Sequence, residues 1–153
     1  MEDKFYNLAL RFLSYRTRSE KEVRDKLATK QVDRPTIDKI IAKLIEKKFI
    51  NDEQFVGQWI ENRSRFKPRS ARLIKMELKQ KGISQEIIES GIKNQELGSE
   101  SDLEQAKKLV GKRIGRLKNL PKQEIYQKLG RYLASKGFNW DTIKKAIDPA
   151  KWG

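Results

Sequence analysis

The chain has 153 residues, with 35 Lys and Arg against 21 Asp and Glu, a formal net charge of +14, and neither Cys nor His. Those two absences exclude thiolate nucleophiles, Cys or His zinc sites, Ser-His and Cys-His catalytic pairs and disulfide scaffolding. With 37% of residues hydrophobic and 37% charged, the apolar complement is thin for one large globular core and suits an extended or repeated architecture.

Apolar residues recur at three and four positions along most of the chain, and no sustained alternation marks a strand, so nearly all of it is expected to be helical. Leu8, Phe12 and Tyr15 share the first face, with Ala9 and Leu13 beside them. Ser19 offers an N-cap with Glu22 three residues on, the pattern of a capping box, and opens a second helix carrying Val23 and Leu27. Pro35 suits the first turn of a third, whose Ile37, Ile40, Ile41 and Leu44 form a stripe ending near Phe49 and Ile50.

The same order then returns. Val23, Leu27, Val32, Ile37 and Ile41 correspond, at a constant step, to Ile74, Leu78, Ile83, Ile88 and Ile92, and at a second step to Leu129, Leu133, Phe138, Ile143 and Ile147. Every one of these positions is apolar, and self-similarity at such a period marks one supersecondary unit used repeatedly. Gly82 and Gly137 occupy equivalent C-cap positions, where copy one has Gln31 and a less regular loop. The segment from Lys93 to Ser101 is the expected hinge, with the next helix restarting at Ser101 and capped through Glu104; Pro149 should end the last helix and leave Trp152 on a tail. The expected fold is therefore all-α: three tandem three-helix-bundle repeats, 1–50, 51–97 and 98–153, in an elongated, curved array.

Charge is concentrated. Residues 63–81 hold eight bases and one acid, Glu77, and residues 107–131 hold nine bases and one acid, Glu124. In copy one the matching bases Arg16, Arg18, Lys21, Arg24 and Lys26 are diluted by Glu20, Glu22 and Asp25. Basic faces at equivalent places would form a discontinuous positive track suited to phosphates or an acidic protein surface; an ordinary solvated helix face is the alternative. Tyr15 and Phe66, beside basic loops, are candidates for stacking on unpaired bases or for the rim of the core. Trp59 and Trp140 read as packing residues. Asp52-Glu53 and Glu20-Glu22 stand at helix starts, where acids complement the dipole, which leaves little case for acid-base or metal chemistry. No Gly-rich phosphate loop occurs and no cofactor is expected. Neither an export signal nor an apolar run of membrane length is present, so cytoplasmic residence away from membranes is the expectation.

Three stretches carry a family resemblance: Ser19-Glu20-Lys21-Glu22-Val23-Arg24-Asp25-Lys26-Leu27, Phe49-Ile50-Asn51-Asp52-Glu53-Gln54-Phe55, and Arg69-Ser70-Ala71-Arg72-Leu73-Ile74-Lys75-Met76-Glu77-Leu78-Lys79-Gln80-Lys81-Gly82-Ile83. Over residues 7–92 the chain resembles the RecX family, bacterial regulators of the recombinase RecA. It departs at Lys67-Pro68-Arg69, where the family usually has a glycine before the proline. The resemblance implies a non-enzymatic modulator that binds RecA and its filament on single-stranded DNA, suppresses RecA's ATP hydrolysis, strand exchange and co-protease activity, and contacts DNA directly, with duplex DNA a further candidate. A monomer is expected. The family supplies no catalytic motif, so the site candidates are chosen by charge: Arg16 and Arg18; Arg63, Arg65, Lys67, Arg69, Arg72, Lys75 and Lys79; Lys112, Arg113 and Arg116. The rival reading is a sequence-nonspecific DNA-binding or packaging protein with no RecA role.

Overall fold

The computed structural model describes residues 2–147, and among them there are nine α-helices and no strand. In chain order these are α1 (Glu2–Tyr15), α2 (Glu20–Thr29), α3 (Arg34–Glu46), α4 (Asp52–Phe66), α5 (Ala71–Gln80), α6 (Gln85–Asn94), α7 (Ser99–Leu117), α8 (Lys122–Ser135) and α9 (Trp140–Ala146). The expectations placed on Pro149 and Trp152 fall outside the described residues.

Local sequence sets the helix ends. Ser19 Oγ accepts from the Glu22 N–H at 3.2 Å while the Glu22 carboxylate accepts from the Ser19 N–H at 3.1 Å, a complete capping box. Asp33 caps α3 through Thr36 N–H ahead of Pro35, which needs no partner for a missing N–H in the first turn. Asn139 caps α9 through Thr142 N–H at 2.8 Å. At α7 the start differs from expectation. The N-cap is Gly98, and Ser101, already inside the helix, turns its hydroxyl back to accept from Gly98 N–H at 2.8 Å.

All fifteen residues of the repeated apolar columns are buried, none more than 9% exposed. Around Val23 and Leu27, α1, α2 and α3 enclose a core with Ala9, Ile40, Ile41 and Leu44; around Leu129 and Leu133, α7, α8 and α9 enclose one with Ala106, Leu109, Phe138, Ile143 and Ile147. Each fully buried Leu or Ile contributes roughly 1.5–3 kcal/mol, so these columns are the main source of stability. Two expected packing residues are not in it: Tyr15 is 77% exposed, and Trp140, at 58%, meets Tyr126 edge-on at the surface.

By contacts the chain divides into two compact units, one drawn from Met1–Gln58 and Glu77–Gly91, the other from Trp59–Met76 and Ile92–Gly153. The middle repeat is thus shared, and a joint found once in each unit explains why. In the first unit the Ser19 hydroxyl donates to the carbonyl of Lys81 at 2.8 Å, Asp52 accepts from the N–H of Glu20 at 2.9 Å, and the chain at Gly82 lies against Lys21. In the second, Ser70 N–H donates to the carbonyl of Lys136 at 3.0 Å, Asp102 accepts from the N–H of Ala71 at 2.9 Å, and Gly137 lies against Ser70 and Leu73. The start of one repeat's second helix is held by the end of the next repeat's second helix and by an aspartate opening the next repeat's first helix.

Candidate functional site

The structure separates candidate cations that are used internally from those that face solvent. In the first unit, Arg16 is ion-paired with the partly buried Glu22 and also donates to the carbonyl of Thr17 at 2.8 Å. Burial alone would raise the Glu22 pKa, but the Arg16 hydrogen bond, the Ser19 N–H and nearby Lys81 outweigh it and hold the carboxyl below its ordinary range. Arg18 lies over the Phe12 ring at 3.9 Å and donates to the Phe12 carbonyl at 3.2 Å, and its burial lowers its pKa. Both arginines of the first loop therefore have structural roles. Lys79, on α5, is exposed.

In the second unit Arg63 stacks over Trp59 at 4.2 Å, Arg69 Nε donates to the carbonyl of Lys67 at 3.0 Å, and Arg72 reaches the carbonyl of Gly137 at 3.4 Å. Lys75 is half-buried. Arg65 is exposed, 3.9 Å from the equally exposed Glu61, and Lys67 is exposed immediately after α4. Lys112 and Arg116 are exposed on α7, one turn apart. Arg113, in the last turns of the same helix, lays its guanidinium on the Tyr132 ring of α8 at 3.6 Å.

Lys128 and Arg131 are counted among the nine bases of 107–131 but are not among the chosen site candidates. Together with Arg113 they line a groove of about 280 Å³ between α7 and α8, floored by Leu117 and Leu129. The available signal was the three-residue spacing of Lys128 and Arg131, which puts both on one face of α8.

Tyr15 and Phe66 end α1 and α4 at equivalent positions, 77% and 66% exposed, each leading into a loop of the form base-x-Arg-Ser. They belong to the surface and not to the core rim. The carboxylates at helix starts are occupied structurally. Asp52 and Asp102 serve the joints, and burial raises the pKa of each, the N–H of Glu20 or of Ala71 opposing it only in part. Among the described residues no group of three acids is placed to hold a metal ion, and no helix is long and apolar enough to cross a membrane.

Comparison with known proteins agrees with this architecture. Models of the first, second and third three-helix domains of RecX match residues 6–44, 51–92 and 100–147. The chain is 35% identical over 147 residues to the regulatory protein RecX of Bacillus pumilus, covering 96% of this chain and 55% of that one. It is 38% identical over 142 residues to that of Clostridium tetani, covering 92% and 64%. The chain spans a little over half the length of such relatives. The crystal structure of RecX from Lactobacillus salivarius superposes with a TM-score of 0.82 at 29% identity, covering 98% of this chain and 96% of that one.

Proposed function

The chain belongs to the RecX family of regulatory proteins, and from that premise we propose that it binds RecA and the RecA filament on single-stranded DNA and inhibits RecA's ATPase, strand exchange and co-protease activity. The observation that carries this reading is the match of all three three-helix domains, in order. On it, the repeats 1–50, 51–97 and 98–153 act as linked binding modules of a cytoplasmic, cofactor-free monomer. Weak contacts joined in one chain gain strength through effective concentration. A regulator that binds one filament state better than the others shifts the filament toward that state and slows a cycle that must pass through all of them.

Among the exposed candidates, Arg65, Lys67 and Lys79 from the middle repeat and Lys112 and Arg116 from the third are assigned this role. Arg16, Arg18 and Arg72 support the fold through the contacts described above. The test is titration of the chain against the ATPase of RecA on single-stranded DNA. Inhibition is expected, and should be lost when Arg65, Lys67, Lys112 and Arg116 are changed to Glu, with helicity unchanged by circular dichroism. A flat titration with the unmodified chain would remove the RecA role and leave DNA binding alone.

A further inference from the structure

We propose that the groove between α7 and α8, lined by Arg113, Lys128 and Arg131, is a binding site for the phosphodiester backbone of nucleic acid. Two helices contribute its cations, and they meet because Leu109, Leu129 and Leu133 belong to the same core. Its floor, Leu117 and Leu129, is apolar, and low-dielectric walls focus the field of surrounding charges into a cleft.

Arg113 gives the groove geometry as well as charge. Stacking on Tyr132 at 3.6 Å uses the face of the guanidinium and fixes its plane, which leaves the in-plane N–H fork to meet two oxygens of one anion. Lys128 and Arg131 add two further positive charges, and none of the described lining residues is acidic. A single carboxylate would leave most of that charge unneutralised, whereas a strand with one negative charge per nucleotide can engage all three cations in sequence. The surrounding stretch 107–131 has nine bases to one acid, Glu124, which does not line the groove. This density matches a polyanion better than a protein surface of mixed charge.

The site does not depend on the RecA reading, because binding to free DNA is measured without RecA. The experiment follows the full chain by fluorescence anisotropy on a labelled single strand and on its duplex, from about 50 to about 200 mM salt. Lys128→Gln with Arg131→Gln should weaken binding roughly tenfold at the low-salt end and reduce the salt slope by about one per residue removed. Lys39→Gln with Lys47→Gln, an equal loss of charge on α3 and its C-cap, should leave both nearly unchanged. Equal losses in the two pairs would overturn the groove in favour of diffuse charge. Unaltered DNA affinity in the groove variant, with RecA inhibition lost, would also overturn it and assign the groove to an acidic protein surface. Competition by polyglutamate as effective as by unlabelled DNA would count against phosphodiester recognition.

Discussion

Asp52 accepts a hydrogen bond from the backbone N–H of Glu20 at 2.9 Å, and so satisfies the first turn of a helix in the preceding repeat. Asp102 does the same for Ala71 at the same distance. Each carboxylate thus fastens one repeat to the next, and each is half-buried in doing so.

That burial sets a pH dependence. Burial raises both carboxyls' pKa, so between the unfolded value, about 3.9, and the folded one the native state holds more protons than the unfolded state. Stability from these groups is fully present below about pH 3.9 and is lost as pH rises through the folded pKa. Asn keeps the acceptor and removes the charge. Asp52→Asn and Asp102→Asn should match the parent in acid and gain on it toward neutral pH, measured by urea unfolding across pH. If the parent instead gains as pH rises, the helix N-terminus outweighs burial. Asp52→Ala orphans the Glu20 N–H and should cost about 1–3 kcal/mol.

Ser19 combines two roles in one buried hydroxyl: acceptor from Glu22 N–H and donor to the Lys81 carbonyl. Ser70 Oγ accepts from Leu73 N–H at 3.1 Å, while it is the backbone N–H of Ser70 that reaches Lys136. Ser19→Ala therefore loses a cap and a contact between repeats, about 2 kcal/mol together, and Ser70→Ala about 1. Equal losses in chemical denaturation would refute this difference.

Gly82 and Gly137 separate two reasons for a glycine. Both have positive φ, 80° and 88°, but so does Gln31 at 62°, so the left-handed turn alone does not demand glycine here. The close approach does. A Cβ on Gly82 would sit 2.5 Å from Lys21 Cβ, and one on Gly137 2.8 Å from Leu73 Cβ. Gly82→Ala and Gly137→Ala should each cost roughly 2–3 kcal/mol, strain and clash together, with Gln31→Gly within about 1 kcal/mol of neutral; thermal melts of the three variants decide it.

The fifteen apolar column positions show how far the sequence reaches: the internal repeat located every one, whether on a helix face or, like Val32, Ile83 and Phe138, in the loop after the second helix of a repeat. The capping box at Ser19 was equally legible, being local. Asp52 was not. In sequence it is an acid at a helix start, and only the neighbouring repeat shows that it serves Glu20. Arg18, Arg72 and Arg113 carry charges that composition counts alike, yet a ring, a carbonyl and another ring occupy them in the fold. Lys128 and Arg131 matter through convergence with another helix, which no count along one segment reveals.

The two exposed glycines of α7 point to a stabilising change. Gly111 and Gly115 lie in the interior of the nineteen-residue helix, and a Cβ at either would meet nothing within 4 Å. Neither is at positive φ, so packing and backbone conformation do not require them. Glycine inside a helix costs roughly 0.5–1 kcal/mol relative to alanine, mainly through the entropy that the unfolded chain retains. Gly111→Ala with Gly115→Ala should therefore add about 1–2 kcal/mol and shift the denaturation midpoint upward without changing the slope. The gain should be additive, since two exposed methyl groups one turn apart share no buried partner. A loss of stability would show that α7 is bent or crowded at these positions.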